Sequence, residues 1–258
     1  MTFKKTYVII RSEFVERDKK MEKNNFVKID KEFYNTLSSK EILILLYLYN
    51  KSLTLEYFNF TLKDLIVYYG YKPNSRKNQI NQLFIKAIND LIDKNIIFLT
   101  SSPIKNINQL NTGGFIKDKK GNTYFDTLEQ FVICYNSEIN ILSKAVTKNI
   151  TICSLENLVK LYLYLKKFLH MNNPLLYCYP SLNTISKDLH MSKPTILKAL
   201  IDLETLGLVY KKNIGNYIDK HGKTFVCNNV YCFENYDVEI IKQDISHSSS
   251  FYNFCKWY

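Results

Sequence analysis

The stretch from Tyr179 to Lys212, YPSLNTISKDLHMSKPTILKALIDLETLGLVYKK, decides how this chain is read. It predicts a short helix, a tight turn, a second helix and then a strand. Ser181 stands where a helix N-cap belongs, and Ile185 and Leu189 follow on one face. His190 and Met191 make the turn. Ser192 caps the second helix, and Pro194 falls in its first turn, where a missing N–H removes no helical hydrogen bond. Ile196, Ala199, Leu200, Leu203 and Leu206 recur at helical spacing as a core stripe. Gly207 ends the helix as a left-handed residue just past it. The polar residues Ser192, Lys193, Thr195 and Lys198 at the helix start have no core to enter. Small polar and cationic groups on the N-terminal half of a helix are what reading a DNA major groove requires.

Composition agrees with a polyanionic partner. Of 258 residues, 35 are Lys or Arg and 24 are Asp or Glu, a net charge of +11, while aromatics make up 14%. This is a folded basic protein, long enough for one large core or two ordinary ones. The six cysteines form no CxxC pair, and no His stands at ligand spacing from one. Cys227 and Cys232 lie in the strand-like run TFVCNNVYCF, where Cys acts as a small hydrophobe. Neither a zinc site nor a disulfide framework is expected, and no cofactor. The N-terminus lacks a signal-peptide pattern, and the apolar-rich runs ILILLYLY and LVKLYLYL are too short to span a bilayer, so no membrane role and a reducing cytoplasm are expected.

Enzymatic chemistry finds little support. There is no GxxxxGK[ST] and no GxGxxG to cradle a phosphate, and no carboxylate pair, His cluster or nucleophile–base spacing. The chain is expected not to be an enzyme and to take no small-molecule ligand. With 20 Tyr a tyrosine nucleophile stays open, but no His or Arg cluster supports one. His190 is expected to shape the turn, and Asp188 and Asp202 to lie on exposed helix faces.

Three blocks occur twice in the same order. FVKIDKEFYNTLSSK (26–40) pairs with FVICYNSEINILSK (131–144), each a strand running into a short helix. EILILLYLY (41–49) pairs with LENLVKLYLYL (155–165), with Ser38 and Glu41 as a capping box for one and Ser154 as cap for the other. KDKKGNTYF (117–125) pairs with IDKHGKTFV (218–226), both cationic turns between strand formers. Between the second and third blocks lies the helix pair. Its earlier copy is TLKDLIVYYGYKPNSRKNQINQLFIKAINDLIDKNIIFL, with Thr61 as cap and Phe84, Ala87, Ile88 and Leu91 matching Ile196, Ala199, Leu200 and Leu203. Asn95 stands where Gly207 stands, and both residue types tolerate a left-handed helix end. The earlier copy has a longer link between its helices, and its strand pair is expected to be split by an excursion over residues 101–128.

The order helix, helix, helix, two-stranded hairpin resembles the winged helix-turn-helix fold, and PSLNTISKDLHMSKPTILKALIDLETLGLVYK is similar to its usual second helix, recognition helix and first wing strand. Two such modules in a basic chain resemble plasmid replication initiators of the Rep superfamily. The resemblance implies an α+β, mainly helical fold with two tandem winged-helix domains, each a three-helix core with a β-hairpin wing. It divides the chain into an N-terminal extension (1–25), a first domain (26–135), a second domain (136–240) and a C-terminal tail (241–258). It further implies double-stranded DNA as partner. Ser192, Lys193, Thr195 and Lys198 would meet base edges or phosphates, and Lys211, Lys212, Lys220, His221 and Lys223 would form the second wing. Arg76, Lys77, Asn78, Gln79, Gln82 and Lys86 would serve as the first recognition helix, and Lys117, Lys119 and Lys120 as the first wing. The implied role is replication initiation at origin repeats of a plasmid or mobile element. The alternatives are transcriptional regulation at an operator and a winged-helix protein-binding module without DNA. The apolar runs at 42–49 and 158–169 exceed what one small domain needs and suggest a domain–domain or homodimer contact. The tail SHSSSFYNFCKWY could dock on a partner or on the protein itself.

Overall fold

The computed structural model describes residues 26–51, 57–73, 79–101, 104–115, 130–169, 175–219, 221–227, 229–247 and 255–257. Among these the fold is α+β, with nine helices and four small antiparallel sheets. The chain divides into two compact units, one holding the described residues up to 33 together with 40–147, the other 34–39 with 148–258. No helix among the described residues is long and apolar enough to cross a membrane.

In the first unit, β1 (Phe26–Asp30) pairs antiparallel with β5 (Phe131–Tyr135), Phe26 opposite Tyr135 and Asp30 opposite Phe131. The two-residue strand period turns Val27, Ile29, Val132 and Cys134 to one buried face. The strands of the two copies of the first repeated block therefore pair with each other, and α5 (Asn136–Thr147), which follows β5, groups with the first unit. Helix α1 (Phe33–Thr36), which past Phe33 groups with the second unit, is followed by α2 (Ser39–Lys51), in which every residue from Glu41 to Leu48 is buried. The buried Glu41 carboxylate is neutralised by a salt bridge to Lys94.

Strand β2 (Tyr57–Thr61) leads directly into α3 (Leu62–Tyr68), and Thr61 makes the change of direction: its Oγ1 accepts from the Asp64 N–H at 3.0 Å. Helix α4 (Gln79–Asp93) follows, then β3 (Ile97–Leu99) and β4 (Leu110–Phe115), in a sheet of order β2–β4–β3. The partner of β3 thus lies inside the stretch expected to be an excursion. Its sequence, LNTGGF, is poor in strand formers, but Gly113 sits under the Phe58 ring: a Cβ there would stand 2.6 Å from Phe58 Cε2 and 2.8 Å from the Phe98 carbonyl oxygen.

The second unit repeats this plan. Helix α6 (Leu155–Lys166) is buried around most of its circumference. Strand β6 (Tyr177–Cys178) precedes α7 (Leu182–Leu189) and α8 (Lys193–Thr205), and β7 (Tyr210–Lys212) follows them. The chain continues through β8 (Asn216–Asp219) and β9 (Thr224–Val226) to β10 (Val230–Cys232), and the sheet order is β6–β10–β7. In each unit, then, the strand before the helix pair and the strand after it flank a central, later strand. Helix α9 (Val238–His247) runs through residue 240 and places Ile241 in a cluster with Tyr177, Ile214, Val230 and Cys232. Strand β11 (Cys255–Trp257) pairs with β8, so the tail adds a third strand to the β8–β9 hairpin.

Ile42–Leu48 and Leu158–Leu165, apart from the half-buried Lys160, are interior in the folded chain.

Candidate nucleic-acid interface

The helix pair of the second unit is fixed at each of its joints. Ser181 Oγ accepts from the Thr184 N–H at 3.1 Å and starts α7. His190 ends it in the left-handed region (φ 51°). The turn is held from two sides: Ser186 Oγ donates to the Met191 carbonyl at 2.7 Å, and Lys160 Nζ on α6 donates to the Leu189 carbonyl at 3.0 Å. Burial lowers the pKa of that lysine. Ser192 Oγ then accepts from the Thr195 N–H at 3.3 Å to start α8, with Pro194 in the first turn. Ile196, Ala199, Leu200 and Leu203 form the buried face, and Leu206 is half-buried at the end. The helix closes in a Schellman motif: Gly207 (φ 70°) donates to the Glu204 carbonyl and Leu208 to the Leu203 carbonyl.

Three side chains sit otherwise than expected: Asp188, expected on an exposed face, is half-buried and accepts from the Tyr164 hydroxyl at 2.5 Å. Asp202 is not on an exposed face. It is 3% exposed, and its carboxylate accepts from the Ile152 N–H at 3.0 Å and the Cys153 N–H at 2.8 Å. It thus anchors the chain entering α6, where Ser154 holds the N-cap backbone position without a side-chain cap bond. A buried carboxylate is tolerable because backbone donors satisfy it. Burial and the Asp202 carboxylate also push the Cys153 thiol up, away from thiolate reactivity. Thr195 is only half-exposed, and its hydroxyl lies 2.8 Å from Ser192 Oγ, so it belongs partly to the cap.

Ser192, Lys193 and Lys198 are exposed, as expected. Between the two lysines the outward face carries Leu197 and Ile201, 38% and 55% exposed, which the sequence reading passed over. Their i, i+4 spacing opposite the core stripe is the signal that could have found them.

Among the residues expected to form the second wing, Lys211 is exposed on β7, while Lys212 Nζ donates to Asn235 Oδ1 at 2.8 Å. His221 and Lys223 lie exposed at the β8–β9 turn, and Lys223 Nζ sits 5.1 Å from the Phe225 ring, itself stacked on Tyr217. Lys220 lies outside the described residues.

The first unit has the same arrangement with a different entry. A single constant shift along the chain carries Phe84, Ala87, Ile88 and Leu91 onto the α8 core stripe, Asn95 onto Gly207 and Lys86 onto Lys198. Asn95 is left-handed (φ 57°) and donates to the Ile92 carbonyl, while Ile96 donates to the Leu91 carbonyl, the same Schellman pattern. Gln82 and Lys86 are exposed on α4, beside exposed Asn89. The link from α3 is long and anchored early: Tyr69 is buried with its hydroxyl donating to the Leu43 carbonyl, and the Tyr71 ring meets Phe84 edge-on. Arg76, Lys77 and Asn78 lie outside the described residues, as does the side chain of Gln79, whose backbone opens α4. Lys117, Lys119 and Lys120 follow β4 and lie outside them too.

Among the described residues no group of three His, Cys, Asp or Glu is placed to hold a metal ion. Residues 156–209, from α6 to the residue before β7, match the profile of a family described as a helix-turn-helix domain, which supports a DNA-binding helix-turn-helix protein. No curated protein and no solved structure matches the chain.

Proposed function

We propose that this chain is a sequence-specific double-stranded DNA-binding protein with two winged helix-turn-helix modules, and that it initiates replication of a plasmid or other mobile element from repeated origin sites. The observation that carries the proposal is the recurrence. The helix pair, the order of the flanking sheet and the left-handed helix end of the profile-matched region all return in the first unit. In this function α8 enters the major groove with Ser192, Lys193 and Lys198, and α4 does the same with Gln82 and Lys86. Lys211, His221 and Lys223 follow the backbone from the wing and supply the salt-sensitive part of the affinity. Two modules on one chain raise the effective concentration of the second at its site once the first has bound. That suits an origin array, where the same short sequence recurs in one direction.

The test is a binding selection by the full chain on random-sequence duplexes. The expected product is a composite site of two unlike half-sites, and an array of such sites in direct repeat beside the gene. A single inverted repeat over a promoter would favour a transcriptional regulator instead. If no sequence is enriched, and affinity for any duplex is flat from low to physiological salt, DNA binding itself fails.

A further inference from the structure

The outward face of α8 is not the uniformly polar surface that phosphate binding alone would use. At about 100° per residue, Lys193 and Lys198 fall at the two edges of the solvent-facing arc, and Leu197 and Ile201 fall between them, with Pro194 beside Ile201 and the exposed Glu204 and Thr205 toward the C-terminal end of the same arc. Leu197 and Ile201 are one helical turn apart and together form a short aliphatic ridge, 38% and 55% exposed. The chain contains only three arginines, Arg11, Arg17 and Arg76, and α8 has none. Its exposed face therefore lacks the planar fork that pairs best with guanine. The one apolar feature a major groove offers is the 5-methyl group of thymine. A ridge flanked by cations matches a groove in which a methyl lies between two phosphate strands, whereas an apolar protein surface would have to desolvate both lysines.

We propose that Leu197 and Ile201 read thymine by packing against its methyl group, which makes them specificity-determining residues of the second unit. The proposal rests on the DNA-binding function above. The helix core and caps do not depend on either side chain, because Ile196, Ala199, Leu200 and Leu203 occupy the buried face. Each thymine methyl contacted contributes about fourfold to affinity, the usual return for burying one such group.

The probe is the duplex enriched by the full chain from a random library, made once with thymine and once with uracil at each thymine of the selected motif. Uracil lacks only the methyl and keeps every hydrogen-bonding group. The wild-type chain should bind the uracil duplex about fourfold to tenfold more weakly, and uracil placed outside the motif should have no effect. Leu197→Ala with Ile201→Ala should bind both duplexes alike, at the weaker level. Equal wild-type affinity for the two duplexes overturns methyl reading while leaving sequence-specific binding intact. A double variant that still prefers thymine to the full extent also overturns it, because the methyl is then read elsewhere. Failure to enrich any motif removes the DNA function first and this inference with it.

Discussion

Helices α4 and α8 are built to one plan and finished differently. Both bury the same four-residue stripe, both end on a left-handed residue in a Schellman motif, and both carry an exposed lysine at the same place, Lys86 and Lys198. Their outward faces diverge. Where α8 presents Leu197 and Ile201, α4 presents the half-buried Ile85 and the exposed amide of Asn89. Their entries diverge as well: α8 follows α7 across a short turn closed by Ser192, while α4 is reached through the longer link anchored by Tyr69 and Tyr71. The core stripe and helix end are fixed by packing and backbone geometry, so both copies keep them. The outer face makes no such packing contact and can differ between the copies.

The largest difference predicted lies at the paired aspartates. The shift that aligns the helices puts Asp90 on Asp202, yet Asp90 is half-buried while Asp202 is buried and holds the Ile152 and Cys153 amides. Asp202→Ala leaves those donors unpaired and should cost about 3 kcal/mol in urea unfolding. Asp90→Ala should cost about 0.5 kcal/mol or less. Equal losses would mean that the anchoring of α6 is not peculiar to the second unit.

Much of this pair of helices was legible in the sequence because its signals are local. Caps at Thr61, Ser181 and Ser192, the stripe spacing and the stops at Asn95 and Gly207 each involve residues within one or two turns. What escaped was set by distant partners. The Asp202 carboxylate is balanced by amides about fifty positions away, which no helical pattern encodes. Strand β4 reads as a loop because Asn111, Gly113 and Gly114 are weak strand formers, while its pairing with β2 and β3, with Phe58 close over Gly113, is made by distant segments. The docking of β11 on β8 joins segments whose sequences carry no mutual signature. Of the candidate site, the lysines were found by charge, and Leu197 and Ile201 were missed because apolar residues invite assignment to a core.

The matched lysines test whether both units touch DNA. If α8 lies in a groove as proposed, Lys198→Glu sets a carboxylate against the phosphates and should weaken binding to the selected duplex by about 2 kcal/mol, on the order of thirtyfold. If α4 occupies a groove in the same way, Lys86→Glu should lose a similar amount. The milder Lys→Ala variants should each reduce the slope of log affinity against log salt by about one. A silent Lys86 would confine DNA contact to the second unit and give the first another task.

The smallest effect probes the helix ends, where the plan is most nearly the same. Asn95 and Gly207 both sit at positive φ, 57° and 70°, and both donate the same kind of closing hydrogen bond. Glycine holds that conformation without a Cβ clash, whereas asparagine holds it at a modest steric cost. Glycine also leaves more backbone freedom to lose on folding, which offsets part of its advantage. Asn95→Gly should therefore stabilise the first unit by about 0.5 kcal/mol, and Gly207→Asn should destabilise the second by a similar amount. The Asn95 side chain is exposed, so its removal adds no packing loss. Opposite shifts of similar size in thermal unfolding would make the two ends thermodynamically interchangeable. A loss on Asn95→Gly would instead show that the asparagine amide serves the first unit in a way the glycine end of α8 has no counterpart for.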